Sequence, residues 1–123
     1  MATVNVKSEE FEALISKGGT VLVDFWAAWC GPCRSFAPIY EAASEKHSDM
    51  TFAKIDTEAE PEISAAAGIS SIPTLMIFRD GILLFSQPGA LPAAALEDII
   101  GKVSALDMDD VRKQIAAEES TAK

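Results

Sequence analysis

Hydrophobic positions in this chain fall into short, nearly unbroken runs that alternate with runs at helical spacing. Thr20-Val21-Leu22-Val23-Asp24-Phe25-Trp26 is almost continuously apolar and rich in strand formers, the pattern of a strand buried on both faces of a sheet. Thr51 to Ile55 has the same character. From Arg34 to Lys46 the period changes. Phe36, Ile39, Tyr40 and Ala43 fall at i, i+3, i+4 and i+7, one face of a helix. Pro32 suits the first turn of that helix. Pro38 lies inside it and cannot donate to the carbonyl of Arg34, so a kink is expected there.

Shorter elements fill the remainder. Residues 3–6 read as a strand. Ser8 reads as the N-cap of a helix carrying Phe11, Leu14 and Ile15, with Glu9, Glu10 and Glu12 favourable at its positive end and Gly18-Gly19 as its stop. Glu58 to Ala67 reads as a short helix, with Pro61 in its first turn and Gly68 after it. Ile72 to Phe78 and Ile82 to Phe85 flank Asp80-Gly81, a hairpin signal. Pro92 opens a helix whose apolar face is Leu96, Ile99, Ile100 and Val103. Beyond Lys102 the apolar positions thin to Met108, Val111 and Ile115. Asp107 reads as the cap of one more helix, and Leu106 and Val111 have the spacing of a hydrophobic staple. Residues 119–123 are expected to be disordered. The order β-α-β-α-β-α-β-β-α predicts an α/β fold: a mixed sheet with helices on both faces. The strand-helix-strand units supply parallel pairs and the hairpin an antiparallel one.

Composition narrows the function. A chain of 123 residues, 49% of them hydrophobic, is one domain with a core large enough to need no disulfide or metal. Its formal net charge of −9 argues against nucleic-acid or anionic-membrane partners. No basic stretch followed by an apolar run opens the chain, so no signal peptide is expected, and a cytoplasmic, reducing compartment is the default.

The chemistry centres on Trp29-Cys30-Gly31-Pro32-Cys33, which holds both cysteines of the chain. A Cys-x-x-Cys between a strand and a helix is a redox signal. A bridge closing so short a loop adds little stability, so its value lies in opening and closing. Cys30 stands at the predicted helix N-terminus, where the dipole and unpaired N–H groups favour a thiolate. Cys33, one turn on and deeper, is placed to resolve a mixed disulfide. Gly31 lets a partner chain approach, Pro32 stiffens the turn, and Trp29 offers an apolar contact surface. Zinc is the rival reading. It fails on ligand count, since there is no second cysteine pair and His47 is the one histidine. His47 is expected at the surface near a helix end. Asp24 interrupts a buried strand, where an acid is costly unless paired or neutral. It is the candidate proton acceptor for Cys33; the bland alternative is a structural pair with Lys54.

Val-Asp-Phe-Trp-Ala-Ala-Trp-Cys-Gly-Pro-Cys at 23–33 resembles the active-site stretch of the thioredoxin family. The resemblance continues through Ala37-Pro38, Ala53-Lys54-Ile55-Asp56, Ile72-Pro73-Thr74, Asp80-Gly81 and Gly89-Ala90. It implies a thioredoxin fold over residues 1–103, with 104–123 as a C-terminal extension. It implies Cys30 as attacking thiol, Cys33 as resolving thiol, Asp24 as buried acid with Lys54 beside it, and Pro73 as a cis-proline next to the disulfide. Trp29, Ile72, Gly89 and Ala90 would line the substrate surface together with Gly31 and Pro32. The implied activity is reduction of protein disulfides by a monomer that binds no cofactor. Thioredoxin reductase, with its own NADPH and flavin, would recharge it. Clients in the family include peroxiredoxins, methionine sulfoxide reductases and ribonucleotide reductase. Two other readings remain: a binding or chaperone-like module on the same fold, and an oxidant or isomerase, against which the Gly-Pro pair weighs. Ser71 replaces a usual glycine, and Pro88 precedes Gly89.

Overall fold

A computed structural model describes residues 2–121. Five strands form one sheet in the order β1-β3-β2-β4-β5: β1 Thr3–Asn5, β2 Thr20–Trp26, β3 Thr51–Asp56, β4 Thr74–Arg79 and β5 Ile82–Pro88. Five helices accompany them: α1 Phe11–Ser16, α2 Gly31–Lys46, α3 Pro61–Ala66, α4 Ala93–Ala105 and α5 Met108–Thr121. β1 and β2 each run parallel to β3, while β4 is antiparallel to both β2 and β5.

Alternation along the strands explains the two-sided core. Side chains two apart share a sheet face. Leu22, Phe52, Leu75 and Ile77 point to the side covered by Phe36, Tyr40 and Ala43 of α2 and Leu96, Ile100 and Val103 of α4. Val21, Val23, Phe25, Ala53, Ile55, Met76 and Phe78 point to the other side, against Phe11, Leu14 and Ile15 of α1 and Ile63 of α3. Asp24 has the parity of Leu22, so it faces the α2 side.

The Asp80-Gly81 turn has φ +54° and +81° at its two residues, the left-handed pair that a two-residue hairpin of matching twist requires. α2 runs unbroken through Pro38. Ser8 does not cap its own helix. It lies in a short 3₁₀ turn, Ser8–Glu10, preceding α1. Its hydroxyl accepts from Ile63 N–H in the first turn of α3, and its own N–H donates to the carboxylate of Glu60. Lys7 takes the cap position, with its N–H donating to Glu10 Oε1. A long-range partner outcompetes the local cap, which sequence spacing cannot reveal.

Differences also appear in the second half. α3 begins at Pro61 rather than Glu58, because Asp56 Oδ1 accepts from the N–H groups of Glu58 and Ala59 and holds them in a turn. His47, expected at the surface, is half-buried. Its Nε2 lies 2.8 Å from Glu97 Oε1 and its ring stacks on Phe52. α5 continues through Thr121, so 119–121, expected to be disordered, are helical; 122 and 123 lie outside the described residues. Asp107 does cap α5, accepting from the N–H groups of Asp109 and Asp110. The expected break at 103/104 falls within the last turn of α4. Arg79 Nη1 donates to the carbonyls of Val103 and Leu106 at 2.9 Å each. A fixed cation thus meets the negative end of α4, and Met108 is buried beneath α5.

Candidate active site

β2 ends at Trp26, and the chain turns through Ala27-Ala28-Trp29 into α2. Cys30 is the N-cap of α2, with Cys33 at the third helical position. The N–H of Cys33 donates to Cys30 Sγ at 3.2 Å, the bond an N-cap side chain ordinarily accepts. Pro32 fits the second position, where the missing N–H leaves no partner unsatisfied. Cys30 and Cys33 form a disulfide, with Cα atoms 5.2 Å apart.

Exposure does not distinguish the two sulfurs as the sequence suggests: Cys30 is 4% exposed and Cys33 3%. The asymmetry lies in the surroundings. Trp29 is 67% exposed, and Gly31 and Pro32 are exposed on the other flank of Cys30. Ala27, Trp26 and Ile72 pack directly against the disulfide. Cys30 Sγ is 3.6 Å from the carbonyl oxygen of Ile72. Ile72-Pro73 is cis, and Gly89 N–H donates to Pro73 O at 2.7 Å. That bond brings Gly89 and Ala90, both exposed, to the same rim; the φ of +102° at Gly89 is one that few other residues adopt. Trp29 and Ile72, with Thr57, Pro61, Ser70 and Ser71, line a groove of about 350 Å³.

Asp24 is 1% exposed, and neither carboxyl oxygen accepts a hydrogen bond from a described residue. Burial pushes its pKa up to about 7, against a smaller downward pull from Lys54. Asp24 and Lys54 stand opposite each other in the β2–β3 ladder. Yet no ion pair joins them among the described residues; the Lys54 ammonium sits over the Trp26 ring, 4.9 Å from its centroid. Tyr40 of α2, fully buried, donates its hydroxyl to Ala53 O at 2.8 Å. Burial first, and the Asp24 charge second, hold the Tyr40 pKa well above its ordinary value. Among the described residues no cluster of three His, Cys, Asp or Glu side chains is arranged to hold a metal ion.

Sequence reasoning did not single out Ala27, which is fully buried in one cluster with Cys30 and Cys33, or the packing of Trp26 at the site. Their adjacency to the Cys-x-x-Cys in sequence was the available signal. The Trp26 ring is half-buried beneath Lys54.

The family model "Thioredoxin" matches residues 2–102. The chain belongs to the thioredoxin family. A thioredoxin 2 homologue of Streptomyces coelicolor is 53% identical over 121 residues, 98% of this chain and 90% of the relative. That alignment takes in the tail. Bacillus subtilis thioredoxin is 38% identical over 103 residues, 83% of this chain and 98% of the relative. The structure of a Plasmodium falciparum thioredoxin superposes with a TM-score of 0.74 at 35% identity, over 81% of this chain and 97% of the other. The fold is therefore the thioredoxin fold. The chemistry is dithiol–disulfide exchange, carried out by a disulfide of the protein itself.

Proposed function

We propose that this thioredoxin is a cytoplasmic, monomeric reductant of client protein disulfides, with Cys30 attacking, Cys33 resolving and Asp24 taking the proton from Cys33. The observation that carries the proposal is the place of Cys30 at the N-cap of α2, its sulfur accepting the Cys33 N–H. In the reduced protein the same N–H and the helix dipole favour a Cys30 thiolate.

That thiolate attacks one sulfur of the client disulfide. A Cys30–client bond forms, and the other client sulfur leaves as a thiolate. Asp24, facing the α2 side with a pKa of about 7, takes the proton of Cys33. The Cys33 thiolate then attacks Cys30 Sγ. The Cys30–Cys33 disulfide forms, the second client sulfur leaves, and two electrons have passed to the client. Lys54 tunes Asp24 through its positive charge. Trp29, Gly31, Pro32, Ile72, Gly89 and Ala90 form the surface on which the client chain lies, and Pro73 holds that loop beside Cys30.

An NADPH-dependent thioredoxin reductase returns the two electrons, which places the protein where NADPH is supplied. Peroxiredoxins, methionine sulfoxide reductases and ribonucleotide reductase are the client classes that family membership suggests. The redox unit spans 1–103, with 104–123 as an extension of it. The test is insulin reduction coupled to NADPH oxidation by a matched reductase. NADPH consumption that depends on both cysteines is expected. Its absence, with the reductase shown active on another thioredoxin, overturns the proposal.

A further inference from the structure

Acidic residues are distributed unevenly around the active site. The chain carries 19 Asp and Glu, yet the stretches 25–40, 63–79 and 81–96 contain none. These stretches supply every segment that meets the disulfide: Trp26 to Arg34, the Ile72-Pro73 loop packed against Cys30, and Gly89, bonded to Pro73. These stretches carry no acid to the redox centre, while Lys54 lies over Trp26 and the groove beside Trp29 is also lined by Thr57 and Pro61, from the segment that holds Asp56, Glu58, Glu60 and Glu62. Arg34 is the only charged residue between Phe25 and Tyr40. Its side chain folds back over the active-site loop. Nη1 donates to Ala28 O at 2.8 Å, and Nη2 lies beside Gly31, 3.9 Å from where a Cβ would project. The carbonyl anchor uses one donor; the rest of the guanidinium remains open on an exposed residue.

We propose that Arg34 is a specificity-determining residue, selecting client segments that carry a carboxylate close to the disulfide cysteine they offer to Cys30. The inference rests on the reductase reading above. Three physical points support it. A guanidinium is always charged and recognises carboxylates with paired donors. Anchoring to Ala28 O fixes its position, so less side-chain freedom is lost when a client docks. The stretch 25–40 that carries Arg34 holds no competing acid, so a client carboxylate beside Arg34 meets local attraction although the molecule as a whole repels it. An exposed pair is weak, so the effect is a preference of a few-fold, not an absolute requirement.

The test uses the full chain, reduced beforehand and then separated from reductant. It measures second-order rate constants for single-turnover reduction of three disulfide peptides. They differ only at one residue beside the attacked cysteine: Glu, Gln or Lys. The Gln peptide is the reference, so any effect of a variant on Cys30 itself cancels in the ratios. The expected result is that Arg34→Gln lowers the Glu-to-Lys rate ratio about two- to fivefold relative to wild type, the range of an exposed ion pair. Arg34→Glu should lower it further, Arg34→Lys should restore part of it, and the differences should shrink at high salt. A ratio that Arg34→Gln and Arg34→Glu leave unchanged overturns the inference while the reductase reading stands. So does an equal change in all three rates, which would place the effect on the thiol and not on docking. Failure of the wild type to reduce any of the peptides would instead count against the reductase reading itself.

Discussion

Lys54 lies over the indole of Trp26, its ammonium 4.9 Å from the ring centroid, and leaves the carboxyl of Asp24 without a hydrogen-bonded cation. Asp24 and Lys54 face each other across β2 and β3, within reach of the structural ion pair that is the alternative to a proton-accepting Asp24. A cation on an aromatic face still gains electrostatic attraction. Asp24 meanwhile keeps a pKa of about 7 in place of one depressed by a partner.

Lys54→Met tests this arrangement. The aliphatic stem over Trp26 survives, but the positive charge that pulls the Asp24 pKa down is lost. The Asp24 pKa should rise above its wild-type value, followed by carboxyl carbon chemical shifts in an NMR titration. An unchanged or lower pKa would mean that Lys54 exerts no field on the acid.

Asp24→Asn should remove a pH dependence of stability. The sign follows from linkage. The folded pKa is about 7 and the ordinary aspartate value 3.8, so between those values the folded state holds a proton that the unfolded state has lost. Wild-type stability therefore falls as pH rises through this window and is level above it. The stability of the Asn variant relative to wild type should grow by on the order of 4 kcal/mol from below pH 4 to above pH 7. Urea melts of the oxidised proteins across that range measure it. Single-turnover reduction at pH 7 should slow by roughly a hundredfold or more for want of a proton acceptor. A variant whose stability tracks wild type at every pH would show that Asp24 does not titrate there.

Cys33→Ser should accumulate client proteins as mixed disulfides on Cys30, since nothing resolves the intermediate. Dithiothreitol should release them. Cys30→Ser should capture few, because its remaining thiol lies within the helix instead of at its N-cap. Pull-downs with and without dithiothreitol distinguish this from a binding module, in which both variants would hold the same partners non-covalently. Equal capture by the two variants would remove the assigned order of attack.

Deleting residues 107–123 should spare the chemistry and lower stability. Met108 is buried, and its loss alone removes about 1.5–3 kcal/mol of burial. The active site should be untouched: Arg79 and Asp80, the β-hairpin anchors of the tail, stand at the far end of β4. Thr74, beside the cis-proline, is roughly 17 Å away by strand rise. Urea melts should show the loss of stability, while single-turnover rates per folded molecule stay within about twofold of the full chain, by the additivity of distant sites. A large fall in rate at full folding would tie the tail to the active site.

Much of this molecule is legible in the sequence because local periodicity is enough to specify it. The limits of β2 follow from an unbroken apolar run, and α2 from the spacing of Phe36, Ile39, Tyr40 and Ala43. The hairpin follows from Asp80-Gly81, and the redox pair from two cysteines three apart at a strand-helix junction. Each depends on a few neighbouring residues, so a window of sequence contains its cause. The tertiary structure alone decides what depends on partners far along the chain. It inserts β3 between β1 and β2 and sets β4 antiparallel to β2 although a helix precedes it. It gives the Ser8 hydroxyl to Ile63 of α3 and sends Arg79 to the end of α4. It puts Lys54 on Trp26 and leaves Asp24 alone. A local pattern can tell which face of a strand is apolar, but not which strand lies beside it. A buried charge finds its partner, or fails to, only when the packed neighbours compete for the same space.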